Sequence, residues 1–387
     1  MGLIELKGIT WNHKRGYDPL VYTTKEFHEK HPDIQIHWDK RSLKDFGDFP
    51  IEKLAEKYDL LLIDHPFTGQ AAQKNLYVEL DNCIAPEHLE QLKSESIGKC
   101  FESYCYDGRV LALPVDAAAI VSACRLDLMQ QAGLEVPRNL EEIFQLHRQL
   151  PEGKKILVGL CPTDIWCVLL SLCAAASDGH FIDEEKGMDV DVLWQGVEQV
   201  KRLAAISGED PFSLNPIGIL DRMSSSDAYL YSPFLFGYIN YSMKGEYPHI
   251  VHFYDAPLQG NTSALLGGVG IAISAHSTHV KEAAQYVAYV TDGEVQRTSY
   301  FNSGGQPSHA SVWHSQEIDA RAHGFFSNTL HTMEHAYMRP RIPGWNDFQE
   351  AGGSLICTGL QKGISPKQLV EELQMEFFRR FCKKEGA

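Results

Sequence analysis

The sequence predicts an α/β protein built as two doubly wound, parallel-sheet lobes, on three observations. Strand and helix patterns alternate from Leu3 to His65, the order that makes a parallel sheet with helices on both faces. At 387 residues the chain exceeds one ordinary core, which favours two lobes. A late stretch, Leu265 to Pro307, holds an apolar strand opened by Gly267, Gly268 and Gly270, a helix, and the turn Asn302-Ser-Gly-Gly-Gln-Pro307. Both of its glycine clusters let backbone approach a neighbour closely.

Composition narrows the classes. Hydrophobic residues make up 44% and charged residues 22%, a globular balance. The formal charge of −16 argues against nucleic acid and anionic membrane surfaces as partners. No run of about 18 apolar residues is present, so no membrane insertion is expected. The start, MGLIELKGITWNHKRGYDPL, lacks a charged head, an apolar run and a small-residue cleavage site. Nine cysteines, an odd number without a CxxC pair, fit a reducing compartment. As it stands, the sequence reads as cytoplasmic; a removed leader would make it periplasmic or extracellular.

Strand ends supply the first candidate site residues. Leu3 to Thr10 reads as a strand that runs into a loop from Trp11 to Pro19. In an α/β lobe that loop sits at the carboxyl edge of the sheet, where ligands bind. Trp11, His13 and Arg15 are therefore candidates, against the alternative of a solvated loop with one ring tucked into the core. Tyr22 to Lys30 is helical and Ile34 to Trp38 is a second strand; Lys40 and Arg41 follow it. A helix is expected over Asp48 to Lys57. Tyr58 to Ile63 is a continuous apolar strand of the buried parallel type, ending at Asp64-His65-Pro66. A carboxylate and an imidazole placed there favour a site over simple helix capping, so Asp64 and His65 join the candidates.

Further along, Ala118 to Ala123 reads as a strand and Arg125 to Ala132 as a helix, with a helix start at Asn139. Ile156 to Leu160 is another buried strand, followed by Cys161 to Trp166. Trp166 is either a binding wall or a core ring. Val190 to Ile206 is helical. Met223 to Tyr241 carries six aromatic rings, and at least half of them must be core. Tyr229 and Tyr231, nearest the start of that strand, are the ligand candidates. The helix after the glycine strand repeats Val280, Ala283, Ala284 and Val287, with Ser277 or Thr278 as cap and Asp292-Gly293 as stop. An amphipathic helix, Pro366 to Cys382, closes the chain.

Several of these pieces, taken together, resemble the extracellular solute-binding proteins of ABC importers, family 1, the sugar-binding type related to maltose-binding protein. The residues that carry the resemblance are Leu80-Asp81, the run Cys105 to Asp116, Gly133 to Pro137 with Asn139-Leu140, Asp255-Ala-Pro257, Leu265 to Pro307, and Arg339-Pro340 with Pro343 and Trp345. Arg109, Ala112 and Leu140 depart from the pattern. The resemblance implies a periplasmic-binding-protein-like fold of type II, two lobes joined by a hinge. Residues 1–115 and 265–307 would form one lobe, and 116–264 and 308–387 the other. A small polar, carbohydrate-like ligand would lie between them, held by hinge closure. Gly268, Gly305 and Trp345 then join the candidates. Carboxylates would accept from hydroxyls or amines, whereas Arg15, Lys40 or Arg41 would select an acid. The implied partner is an ABC permease; a monomer without cofactor, metal or catalytic residues is expected. The same fold used as a cytosolic sensor or carrier is the alternative.

An enzyme has one named form here, a metal-dependent peptidase. His331-Thr-Met-Glu334-His335 matches HxxEH, which on a helix would set two imidazoles on one face for zinc. A recognisable third ligand is missing, and 17 histidines make such a match easy by chance. The chain has no GxSxG, no phosphate loop and no strand-anchored GxGxxG.

Overall fold

The structure is a computed structural model that describes residues 2–42 and 50–382. Strand β1 (Ile4–Trp11) leads into helix α1 (Lys14–Lys30), β2 (Ile34–Arg41) and β3 (Leu60–Ile63). The long β4 (Leu113–Cys124) follows, then β5 (Lys155–Ile156), helices α2 (Pro162–Ala176) and α3 (Val190–Ala205), and strands β6 (Tyr229–Phe236), β7 (His252–Tyr254) and β8 (Leu266–Ile273). Helices α4 (Val280–Thr291), α5 (Phe325–Glu334), α6 (Trp345–Gln361) and α7 (Pro366–Phe381) complete the frame.

One eight-stranded mixed sheet runs β2-β1-β3-β8-β4-β6-β5, with β7 also on β4. Its first three strands are parallel, in register from Ile4 opposite Ile34 and Gly8 opposite Leu60. Strand β8 then inserts antiparallel between β3 and β4. Strand β4 belongs to both halves of the molecule: Leu113 to Ala119 pair with β8, whereas Ile120 to Cys124 pair with β6 and β7. All twelve of its residues are buried, which explains why its apolar run lacks alternation.

Separate cores fill the two halves. Leu6, Leu20, Phe27, Leu60, Ile271, Val287 and Tyr300 pack around β1–β3 and β8. In the other half, Trp166, Leu169, Val197, Trp345, Phe348 and Phe377 join α2, α3, α6 and α7. A third cluster, including Phe253, Phe325, Phe326 and Trp313, covers the opposite face of β4 and β6. Three separate segments of the chain meet at one place between these cores. Ala117 donates its amide to the carbonyl of Gln306, Ser308 Oγ donates to the carbonyl of Pro114 at 2.8 Å, and Gly267 lies opposite Ala118.

Several elements differ in extent from the sequence expectation. The loop expected over Trp11 to Pro19 is only Asn12 and His13. The His13 ring accepts from the Arg15 amide and caps α1, which continues through Pro19. The strand expected from Ile156 to Leu160 pairs only at Lys155 and Ile156. Helix α4 is preceded by His279 rather than a capping hydroxyl; Ser277 Oγ instead accepts from the His279 amide. Of the helix expected over 48–57, Ile51–Ala55 is helical, and residues 48 and 49 lie outside the described residues.

Candidate functional site

A cavity of about 440 Å³ opens at the junction of the two halves, within the usual span of small-ligand pockets. Trp11 and Arg15 come from β1 and α1, and Asp64 from the end of β3. Gly267, Gly268 and Val269 of β8 form part of the floor. The far wall is built by Cys161, Thr163, Asp164 and Cys167 at the start of α2, with Asn215, Phe236 and Tyr238. Arg339, Asn346, Gln349 and Glu350, just before and along the first turns of α6, close the remaining side.

Two buried ion pairs frame this cavity. Arg15 Nε donates to Asp116 Oδ2 at 2.7 Å and its Nη2 donates to Asp116 Oδ1. Its Nη1 reaches the carbonyl of Gly237 at 2.8 Å, and the Tyr238 ring lies 4.7 Å from the guanidinium. Arg15 thereby ties α1 to the middle of β4 and to the end of β6. The second pair joins the halves directly. Arg339 Nη2 sits 2.6 Å from both oxygens of Asp64, and Nη1 donates to Gln349 Oε1 at 3.2 Å. Arg339 Nε is buried without a protein acceptor.

The electrostatics follow from burial and from these partners. Burial alone would raise the Asp64 carboxyl, but Arg339 and His65 outweigh it and hold it at about 2. Burial and the Arg339 charge push His65 down to about 4 against the pull of Asp64, so the ring is neutral at physiological pH. Asp164 behaves oppositely: burial pushes it up to about 7, and the Cys161 thiol, donating to Oδ2 at 2.8 Å, pulls the other way. No arginine or lysine is paired with Asp164 among the described residues.

Backbone geometry lets the floor approach this closely. Gly268 has φ of 97°, and a Cβ there would meet the Asp116 carbonyl oxygen at 2.4 Å. The register between β8 and β4 shifts at the next step, Val269 to Gly270. This is a position only glycine fills without strain.

Of the sequence-derived candidates, the structure brings Trp11, Arg15, Asp64 and Gly268 to the cavity wall. His13 packs edge-on against Tyr238, at 4.7 Å between ring centroids, outside the lining. His65 lies behind Asp64 with no exposed surface. Trp166 and Trp345 sit 6.3 Å apart, fully buried among the α2, α6 and α7 side chains. Tyr231 is likewise enclosed, and Tyr229 donates to Glu209 at the far end of β6. Gly305 packs on the Tyr300 ring beside that meeting place. Sequence reasoning missed Asp164, Phe236, Tyr238, Arg339 and Gln349. The signal for Arg339 was its place beside Pro340 in an element already singled out; for Asp164 it was a carboxylate four residues after the expected strand end at Leu160. His331 and His335 share a helix face, with rings 4.3 Å apart, yet no group of three metal-ligating side chains exists among the described residues.

Similar proteins agree with this architecture. A solute-binding protein of an ABC transporter from Thermotoga lettingae, bound with α-D-tagatose, superposes with a TM-score of 0.82 at 15% identity, over 97% of this chain and 99% of that one. Maltose-bound MalE3 of T. maritima gives 0.82 at 16% identity, over 97% and 99%. A ribitol complex from Agrobacterium radiobacter gives 0.80 at 20%, over 98% and 99%. A probable ABC transporter-binding protein of Deinococcus radiodurans is 27% identical over 123 residues, which span 31% of this chain and 29% of that relative. No helix among the described residues is long and apolar enough to cross a membrane. The profile of one family matches residues 24–325, most of the sequence, and the chain therefore belongs to the bacterial extracellular solute-binding proteins.

Proposed function

We propose that the chain captures a small polar, carbohydrate-like solute in the cavity between its halves and serves as the substrate-binding component of an ABC importer. One observation carries this reading: both halves contribute aromatic faces and hydrogen-bonding groups to one cavity, at the place where the three chain segments meet. Trp11, Phe236 and Tyr238 offer rings to apolar sugar faces, and Asp64, Asp164, Gln349 and Asn346 offer acceptors and donors to hydroxyls. Residues 1–115 with 265–307, and 116–264 with 308–387, act as the two lobes, closing about these segments. The tagatose, maltose and ribitol complexes of its neighbours support a hydroxyl-rich ligand. Binding alone, without covalent chemistry, accounts for every group in the cavity.

The test is a thermal-shift screen across sugars, polyols, amino acids and organic acids, because a ligand that binds only the folded state stabilises it. A sugar or polyol should raise the melting temperature. Asp64→Asn, which keeps the side-chain volume but releases Arg339, should weaken that ligand by about tenfold or more. A shift with organic acids only, or none in the hydroxylated set, refutes the reading.

A cytosolic carrier or sensor of the same fold is the second reading, favoured by nine unpaired cysteines. Fractionation of cells that express the natural reading frame separates the two: export supports the importer, and retention supports the carrier.

A further inference from the structure

Within the solute-binding reading above, on which this inference rests, we propose that the ligand carries an amine, an aminated polyol or sugar, whose ammonium group is received by Asp164. The geometry of charge in the cavity points there. Both guanidinium groups that reach the cavity are already neutralised, Arg15 by Asp116 and Arg339 by Asp64. Two carboxylates that line the same cavity, Asp164 and Glu350, have no cationic partner among the described residues. Asp164 accepts from one thiol, Cys161 at 2.8 Å, and lines the cavity without a cationic partner among the described residues. The cavity therefore has acceptor capacity and negative charge in surplus. An anionic ligand would meet repulsion, and a neutral one would leave Asp164 without a counter-charge. An ammonium beside it completes a charge-assisted hydrogen bond, with the aromatic faces of Phe236 and Tyr238 as further cation-tolerant walls.

The groups that face Asp164 are Cys161 and Cys167 on its own helix, Tyr238 beyond β6, Glu350 and Gln349 on α6, and the Asp64–Arg339 pair. Burial pushes Cys167 and Tyr238 up to about 12, so both stay neutral near physiological pH. Asp164, at about 7, changes charge there. Its ionised form is the one that favours ammonium, so the preference for amines strengthens as pH rises through 7.

Calorimetric titration with matched pairs tests this: sorbitol against glucamine, and xylitol against its 1-amino-1-deoxy analogue, whose ammonium groups keep their proton at both pH values. At pH ~8 the amine of a pair should bind about tenfold tighter than its parent, the margin of a charged over a neutral hydrogen bond. At pH ~5.5 the margin should shrink to less than about twofold, as the carboxyl is then protonated. Asp164→Asn should remove the margin at both pH values; if that variant does not fold, the pH series on the unsubstituted protein gives the same readout. Parent sugars or polyols that bind as tightly as their amines at the higher pH overturn this inference alone. A tighter gluconate does the same. If neither members of the pairs nor other hydroxylated solutes bind, the solute-binding reading falls with it.

Discussion

Arg15 and Arg339 each bury a full positive charge against a single carboxylate, and the molecule's response to substitution at the site follows from that. Removing one partner of a buried pair leaves the other charge without compensation, at about 3–5 kcal/mol. Asp116→Asn should therefore lower the unfolding free energy by about that amount in urea titrations, far more than a surface substitution. His65 makes a second, pH-dependent prediction. Its folded value of about 4 lies below the ordinary 6.5, so keeping the ring neutral stabilises the fold fully above 6.5. That contribution is lost as pH falls from 6.5 through 4, and amounts to about 3 kcal/mol when complete. Asp64 loses its own contribution only lower, as pH falls from about 4 toward 2. Asp164, raised to about 7, acts in the opposite direction over the same window, so the readout is a difference: the urea midpoint of His65→Asn should rise relative to that of its parent as pH falls from neutral to about 4.5, and an unchanged difference would sink the assignment. At this scale the sequence was half legible. Strand ends at Trp11 and Asp64 led to the cavity wall because the carboxyl edge of a sheet is where ligands gather. Ring chemistry suggested Trp166 and Tyr231, and the resemblance suggested Trp345, but each occupies a core where several elements meet and a large side chain fills the gap. No spacing rule joins Arg339 to Asp64, 275 positions apart.

Helices α2 and α6 hold most of one cavity wall, and their close approach depends on a glycine. A Cβ at Gly353 would meet the Pro162 carbonyl oxygen at 2.0 Å, which is backbone and cannot swing aside. Gly353→Ala should push α6 away from the start of α2, which carries Asp164, and displace Gln349 and Glu350 from the cavity. Overpacking of this kind costs about 1–3 kcal/mol. We expect lower stability in denaturant together with weakened ligand binding; lost stability with unchanged affinity would show that α6 does not position the wall. Elements of this type were the most legible part of the chain. Val190 to Ala205 and Val280 to Thr291 declare themselves by three- and four-residue apolar spacing, because each buries one face. Helix α2 has no such face: Ile165 to Ala174 are all buried, so periodicity was silent over it. The start of α1 was hidden for a different reason. Polar and charged residues from Lys14 to Asp18 resemble a loop, yet Arg15 and Gly16 are buried by long-range contacts that local pattern cannot reveal.

If ligand binding closes the cavity, as proposed, the contacts across it are the ones that closure would make, and these contacts differ in strength. Arg339 is buried and its partner Asp64 largely so, whereas Lys14 Nζ meets Glu246 Oε2 at 3.0 Å with both side chains about half exposed, 54% and 43%. Arg341 adds a third tie, its Nη1 donating to the carbonyl of Glu102 at 2.9 Å and to those of Ser103 and Cys105. Length and alternation pointed to more than one core, and separate buried clusters are present; the side chains that tie them together were not readable, since each tie pairs residues far apart in sequence. An exposed pair contributes under about 1 kcal/mol and is screened by salt, so Lys14–Glu246 can trim the closed state without dominating it. On the reading that ligand binding closes the cavity, Lys14→Glu places two like charges across the rim and favours the open form. Affinity for the cognate solute should fall by about two- to fivefold, and added salt should restore part of the loss by screening the repulsion. In the unsubstituted protein, salt should instead weaken binding slightly. Small-angle scattering supplies the second readout: the radius of gyration should contract when ligand is added, and the ligand-free variant should be at least as expanded as its parent. An affinity that ignores both the substitution and the salt, with no contraction on binding, would mean that the rim does not move and that solute enters a preformed cavity.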